Sequence, residues 1–139
     1  MAASAAVNGF GAVFAYLSTD PSTYTALAEV LSVTPPSINV ETVETTHMGS
    51  DDGFREYIAS LKDGGEVTVN LNYVEASATL LQTLVLAGVE TFRVTFPGSS
   101  TFTFSGIPTA FAFDDVVIDD KVAMSLTIKV TGKPVYAAV

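Results

Sequence analysis

Strict alternation of apolar and polar residues in two segments constrains the fold of this chain more than any other feature. One segment has small or polar residues between the apolar positions Val122, Met124, Leu126, Ile128 and Val130. In the other, polar residues separate Val67, Val69, Leu71 and Tyr73. Successive side chains of a strand point to opposite faces of its sheet, so a period of two predicts strands with one buried face. Both segments are therefore predicted to lie in a sheet that covers a hydrophobic core.

Shorter patterns predict further strands at residues 10–17, 28–33, 40–47, 91–96, 101–107 and 111–113. The strand at 40–47 has polar residues on both faces, which favours an edge that a neighbouring chain completes. The turn at residues 97–100 is predicted to join its two flanking strands into a hairpin. A second turn, Asp20-Pro21-Ser22, is expected to end the first strand unit.

One helix is predicted over residues 75–87, which are rich in alanine and leucine, with Gly88 as its stop. Its buried stripe is expected to contain Ala76, Leu80, Leu84 and Ala87. Together with the strands, the helix predicts an α+β, mainly β fold: a β-sandwich or partial barrel with one flanking α-helix. At 139 residues the chain is expected to form one domain over 1–139, with short N- and C-terminal arms and no additional Ig-like domain.

A long loop is expected around residues 47–65, between two predicted strands. Asp51 and Asp52 suit a helix start, because carboxylates favour the positive end of the helix dipole. A short helix is predicted to follow, because apolar residues recur at helical spacing at Phe54, Tyr57, Ile58 and Leu61. That stripe packs either on its own domain or on another molecule, and the spacing fits both. The length of the connection favours a functional role.

The composition favours association with other chains and argues against several functions. Hydrophobic residues make up 48% of the chain and charged residues 15%, so partners are expected to cover part of the surface. A net charge of −9 argues against binding nucleic-acid phosphates, which requires clustered Lys and Arg. The absence of cysteine excludes disulfides and thiolate chemistry. Neither a signal peptide nor a membrane-spanning segment is expected from the uncharged N-terminus and the short apolar runs.

No catalytic residue is predicted. His47, Ser50 and Asp51 are the residue types of a hydrolase triad, but they lie within five residues of one another. Triad members are instead brought together from separate elements around an oxyanion hole. The chain is therefore predicted not to be an enzyme.

No metal ion or cofactor is predicted either. Four carboxylates lie within seven residues, at Asp114, Asp115, Asp119 and Asp120. Calcium prefers oxygen ligands, but this spacing does not match an EF-hand loop. A solvated turn is the expected structure, and binding of a cation there stays open as an alternative.

Short motifs in a fixed order extend over nearly the whole chain. A glycine-flanked first strand, GFGAVFAYL, comes before a Pro35-Pro36 step and an acidic strand, and residues 52–58, 61–67 and 132–134 read DGFREYI, LKDGGEV and GKP. In this order the motifs resemble the major tail tube protein family of long, non-contractile bacteriophage tails, the lambda-like family. The sequence departs from the family pattern at Ala59-Ser60, where Pro-Gly is common.

The resemblance implies a structural virion protein with the tail tube protein fold, whose hexameric rings stack into a tail tube that conducts the genome. It implies contacts with tape-measure, tail-tip and tail-terminator proteins, passage of double-stranded DNA without specific binding, and no membrane partner. The expected location is the virion tail, after assembly in the host cytoplasm. In this family the loop corresponding to 47–65 reaches toward the adjacent ring, which implies inter-ring contacts by Asp51, Asp52, Phe54, Arg55, Glu56, Tyr57 and Lys62.

Two alternative functions stay open. The first is a tail-terminator or neck ring protein of the same fold, whose rings do not polymerise. The second is a monomeric ligand-binding β-sandwich, such as a carbohydrate-recognition module. Modules of that kind often display exposed tryptophan, and this chain has none.

Overall fold

The computed structural model describes residues 3–17 and 23–138, so the turn expected at Asp20-Pro21-Ser22 lies outside the described residues. Nine strands and one α-helix occur in it, in this order: β1 Val13–Leu17, β2 Tyr24–Ala26, β3 Val30–Thr34, β4 Asn39–Glu44, β5 Tyr57–Asp63, β6 Glu66–Asn72, α1 Glu75–Ala87, β7 Glu90–Thr95, β8 Thr101–Phe113 and β9 Ala123–Ala137. A single 3₁₀ turn, Asp51–Gly53, lies between β4 and β5. The mainly β fold with one helix is therefore confirmed.

Seven strands form one antiparallel sheet in the order β2-β1-β7-β8-β9-β6-β3, and β4 and β5 form a separate two-stranded sheet. The large sheet curls, because β1 near one edge and β3 at the other edge contact each other. Open edges and this curl make the fold a partial barrel. The helix α1 packs against β8.

The two alternating segments become the neighbouring strands β9 and β6, between β8 and the edge strand β3. β6 pairs with β9 in the register Val67↔Ile128, Val69↔Leu126 and Leu71↔Met124, and all six side chains are fully buried. Three phenylalanines from neighbouring strands complete the inner face, with ring centroids 5.6 Å apart for Phe14–Phe92 and 5.7 Å apart for Phe92–Phe104. The alternation predicted for β6 and β9 is confirmed, with two exceptions at the ends: Tyr73 lies beyond the end of β6 and is exposed, and Val122 lies just before β9 begins.

The predicted helix has the observed bounds, but its buried face is rotated. Gly88 follows it with a φ of 95°, a conformation that favours glycine. The buried side chains are Ser77, Leu81 and Leu84. Leu84 was predicted correctly, whereas Ala76 and Ala87 are exposed. The cause is tertiary, because the helix is apolar on several sides and its contact with β8 selects the face.

The predicted hairpin is confirmed by the pairs Phe92↔Phe104 and Val94↔Phe102. Its second strand is longer than predicted, because β8 continues through residues 111–113 past an irregularity between Pro108 and Ala110. Likewise, the Gly-Lys-Pro segment lies within β9 and does not follow it. Pairing between two long strands accommodates prolines and glycines that locally favour a stop.

Gly64 lies where the β5–β6 turn presses on β9. A Cβ added there would lie 2.5 Å from Val130 Cγ1 and 3.2 Å from Pro134 Cγ. We expect Gly64→Ala to lower the free energy of unfolding by about 1–3 kcal/mol, the usual cost of overpacking. Urea unfolding of the monomer measures this cost. The control is Gly9→Ala, whose added Cβ meets no atom within 4 Å and should leave stability unchanged. Equal midpoints for the two variants would contradict the prediction.

Candidate assembly surfaces

Strands β4 and β5 form a ribbon that stands apart from the large sheet, here called the arm (residues 39–63). They pair antiparallel, from Asn39↔Asp63 at the base to Glu44↔Tyr57 near the tip. Every residue of β4 is exposed, and so is every residue of β5 except the half-buried Ser60. A two-stranded ribbon is marginally stable alone. Its contacts are therefore expected to be completed by another molecule.

The arm corrects two predictions made from the sequence. The short helix expected over Phe54 to Leu61 is wrong, and the long loop expected around 47–65 is shortened, because β5 occupies residues 57–63. A bulge explains the misleading spacing. Between the pairs Thr42↔Ala59 and Val40↔Lys62, β4 advances two residues and β5 advances three. The extra residue of such a bulge lets Ile58 and Leu61, three positions apart, share one face of a strand.

Several large apolar side chains on the arm are exposed to solvent. Val43 lies opposite Ile58 in the ribbon, and both are about half exposed. Phe54 is 74% exposed and Leu61 is 76% exposed. The alternative in which this stripe packs on its own domain is therefore wrong. Contiguous exposed apolar residues are typical of a protein–protein contact.

The tip of the arm is held in one conformation by its own hydrogen bonds. The Glu56 carboxylate accepts from Ser50 Oγ at 2.5 Å and lies 3.4 Å from His47 Nε2. The Glu56 N–H donates to Thr46 Oγ1 at 2.8 Å, and the Thr45 N–H donates to the Glu56 carbonyl at 2.8 Å. These bonds tie both sides of the loop together. A loop ordered before contact loses less conformational entropy on binding than a mobile one.

The base of the arm is fixed to the sheet by a charged turn. Asp63 accepts a hydrogen bond from the Gly65 N–H at 3.0 Å and lies 3.6 Å from Lys129 Nζ of β9. The backbone donor, and then the Lys129 charge, hold the pKa of Asp63 below its ordinary value of 3.8. A lowered pKa means that this contact contributes above pH 3.8 and is lost as the pH falls through the lower, folded-state value.

The predicted inter-ring residues fall into two places. Six lie together at the tip: Asp51, Asp52, Phe54, Arg55, Glu56 and Tyr57. Lys62 lies apart from them, near the base of the arm. Glu56 is engaged within its own loop, whereas Phe54 and Tyr57 are exposed.

Sequence reasoning assigned no contact role to Val43, or to Met48 at the tip, which is fully exposed. It included Ile58 and Leu61 in the apolar stripe but not among the expected inter-ring residues. A signal for β4 was present, because its weak alternation already indicated a strand without a buried face.

The described residues show no catalytic arrangement at the arm. His47 Nδ1 accepts from the Gly49 N–H, and the Ser50 hydroxyl donates to Glu56, so no imidazole–hydroxyl hydrogen bond forms between them. Across residues 3–17 and 23–138, no three or more His, Asp or Glu side chains converge as a metal site would require. Within the same ranges, no helix is long and apolar enough to cross a membrane.

The outer face of the large sheet is mainly polar across five strands, and its charged residues include Glu66, Lys129 and Arg93. Registers place hydroxyl and amide side chains side by side there, as in Thr68↔Thr127 and Asn70↔Ser125. Asn70 Nδ2 donates to Ser32 Oγ at 2.9 Å, which links β6 to the edge strand β3. The face continues through β8 and β7 with Thr103, Ser105, Thr91 and Thr95. Most of the hydrogen-bonding groups on this face are neutral.

The model of one family, "Lambda phage tail tube protein, TTP", matches residues 8–137. The chain belongs to the lambda phage tail tube protein family. No curated protein sequence matches it. The resemblance recognised from the ordered motifs is confirmed, and the tail tube family is a family of structural virion proteins. A monomeric ligand-binding module is no longer the natural alternative.

Solved structures share this tail tube fold at low sequence identity. The tail of an empty gene transfer agent particle, refined with C6 symmetry, matches with a TM-score of 0.77 at 17% identity, covering 96% of this chain and all of that one. The sheath/tube terminator of an extracellular contractile injection system matches with a TM-score of 0.78 at 11% identity, covering 99% and 100%. The SPP1 tail tube matches with a TM-score of 0.66 at 10% identity, covering 92% and 77%.

Proposed function

We propose that this tail tube protein forms hexameric rings that stack into the tube of a bacteriophage tail and conduct the genome to the host. The observation that carries this proposal is the arm, a preordered ribbon whose apolar side chains are exposed in the single chain. Family membership supplies the structural role, and the sixfold symmetry of the gene transfer agent tail supports six copies in a ring. The protein acts by assembly and not by catalysis.

Ring closure requires each copy to use two different surfaces. Among the described residues, no strand pairs with the outer side of β2 or of β3, so both edges of the large sheet are open. Leu31 of β3 is half exposed at one of these edges. Open edges readily pair with other chains, and a cyclic ring converts that tendency into closure.

Stacking of rings uses the arm. Its tip presents Asp51, Asp52, Phe54, Arg55, Glu56 and Tyr57 away from the large sheet, and Lys62 lies near the base. Burial of Phe54, Ile58 and Leu61 on the adjacent ring supplies the apolar part of the contact, with charged residues at its rim. A head-to-tail contact of this kind does not close on itself, so it extends a tube.

The polar outer face of the sheet lines the bore. Threonine, serine and asparagine side chains offer no cluster of positive charge, so double-stranded DNA passes without specific binding. The net charge of −9 per copy adds electrostatic repulsion between the tube and the duplex. Before the genome enters, a tape-measure protein occupies the bore, and tail-tip and terminator proteins cover the ends of the tube. The protein is assembled in the host cytoplasm and resides in the virion tail.

Electron microscopy of the purified protein tests this proposal. Negative-stain images over a concentration series are expected to show sixfold rings and tubes with an open lumen. Sedimentation velocity on the same samples measures the fraction assembled. A strictly monomeric particle in every condition, with or without a tail-tip initiator, would overturn the proposal.

A tail-terminator role is the second candidate, and the likeness to a sheath/tube terminator favours it. A terminator forms rings that stop growth. Images that show rings but no tubes at any concentration would support this role in place of the tube.

A further inference from the structure

A small apolar pocket lies at the base of the arm, beside residues 132–134 of β9. Its wall is formed by Ile38, Gly64, Gly132 and Pro134, and its volume is about 290 Å³. Lys62 and Lys133 flank it, as does Asp63, which is already paired with Lys129. In the described part of the chain, neither flanking lysine forms an ion pair. The pocket is therefore apolar inside and positive at its rim.

The β8–β9 loop (residues 114–122) has the complementary character. At its centre, Val116 and Ile118 are 76% and 104% exposed, with the half-exposed Val117 between them. Four aspartates flank this apolar centre, in the pairs Asp114-Asp115 and Asp119-Asp120. All four are exposed and none forms an ion pair within the described chain. The loop therefore presents an exposed apolar tip between two pairs of carboxylates. This surface is complementary to an apolar pocket between two lysines.

The loop lies where β9 begins, and the pocket lies beside residues 132–134 of the same strand. At the loop end, the Asp114 N–H donates to the Ala123 carbonyl at 2.9 Å, where β9 begins. At the pocket end, the Val130 N–H donates to the Gly65 carbonyl at 3.0 Å. From residue 123 to residue 132 an extended strand spans roughly 30 Å. The loop and the pocket of one copy therefore cannot meet, and a second copy is the occupant that carries the matching surface.

We propose that Val116–Ile118 of one copy inserts into the Ile38–Pro134 pocket of an adjacent copy, while the flanking aspartates pair with Lys62 and Lys133. The inference rests on the proposed function, because both require self-assembly, and it adds a contact separate from the tip of the arm. The two surfaces differ, so the contact is heterologous and repeats from copy to copy. Opposite charges at its rim fix the register and speed association.

Charge reversal tests the pairing. One variant carries Asp119→Lys with Asp120→Lys, and the other carries Lys62→Glu with Lys133→Glu. Each alone is expected to raise the concentration needed for half-maximal assembly by at least about tenfold, because like charges then face each other. An equimolar mixture is expected to assemble again, since each reversed surface then meets a reversed partner and each native surface a native one. Light scattering and negative-stain images provide the readout, and circular dichroism confirms folding.

Disulfide trapping tests whether residues 38 and 118 of adjacent copies lie next to each other in the assembly. The chain has no cysteine, so Ile38→Cys with Ile118→Cys introduces one pair that can bridge only where the two side chains meet. Oxidised assemblies are expected to give a ladder of multimers on denaturing gels that collapses on reduction. Leu86→Cys with Ile118→Cys is the control, and it should give no ladder. This test does not depend on whether the charge variants fold.

The outcomes separate this inference from the proposed function. Failure of the unmodified protein to assemble overturns both. Suppose instead that the unmodified protein assembles. If both charge-reversed variants then assemble normally, or if mixing them does not restore assembly, only the loop–pocket contact is overturned. Assembly without a trapped ladder shows that residues 38 and 118 of adjacent copies do not meet, and it overturns the loop–pocket contact as well.

Discussion

Phe54→Ala is expected to leave the monomer folded and to stop tube growth. The side chain is 74% exposed, so its removal should change the free energy of unfolding by no more than about 0.5 kcal/mol. A buried aromatic anchor at an interface contributes about 2 kcal/mol or more to binding. Every copy in a ring makes the same contact, so the loss of binding free energy is repeated for each copy at every ring-to-ring interface. Thermal unfolding measures the first quantity, and sedimentation with negative-stain images measures the second.

The control for the arm is an exposed apolar residue of comparable accessibility elsewhere. Leu86 of α1 is 80% exposed, and Leu61 of the arm is 76% exposed. Leu61→Ala is expected to behave like Phe54→Ala, whereas Leu86→Ala is expected to permit tube growth. Normal tubes from both arm variants would contradict the role of the arm in stacking.

Phe92→Ala is expected to lower the free energy of unfolding by about 3–5 kcal/mol, the usual cost of removing a buried aromatic side chain. Phe92 is fully buried and stacks between Phe14 and Phe104, with centroid separations of 5.6 and 5.7 Å. Domains of this size are commonly stable by only about 5–15 kcal/mol, so the loss is a large share of the total. Urea unfolding under monomeric conditions measures it.

Phe54→Ala is the matched control for this second prediction, because the same substitution is made at an exposed site. The two variants are expected to separate folding from assembly: Phe92→Ala unfolds at lower denaturant concentration, and Phe54→Ala unfolds like the unmodified protein. A loss below about 1 kcal/mol for Phe92→Ala would contradict the description of the core, since truncation of a smaller buried side chain such as leucine to alanine already costs about 2–5 kcal/mol.

The elements predicted best are those whose buried face is visible in the spacing of their own residues. β6 and β9 alternate because one face of each contacts the core, and this face can be identified without knowledge of the neighbours. The bounds of α1 were also predicted, because Gly88 provides a local stop. The buried face of α1 was only partly predicted, since the helix is apolar on several sides and β8 determines which side is covered.

The arm shows where local reasoning fails. A spacing of three between Ile58 and Leu61 fits a helix, and it fits a strand that carries a bulge equally well. Only pairing with β4, across an intervening loop, distinguishes the two. The strand β2 was missed for a related reason, because a three-residue edge strand has too few positions to show a period.

By itself, the sequence determined the family, the mainly β class, the alternating strands β6 and β9 and the helix bounds, because ordered motifs and local periodicities encode them. Only the tertiary structure decided that residues 57–63 form a bulged strand, that the arm exposes its apolar side chains, and that the acidic loop and the lysine-flanked pocket are separated along β9. The physical reason is that these features depend on pairing and burial between distant segments. The local spacing of residues does not determine such contacts. These same contacts create the surfaces through which copies of this protein are proposed to meet.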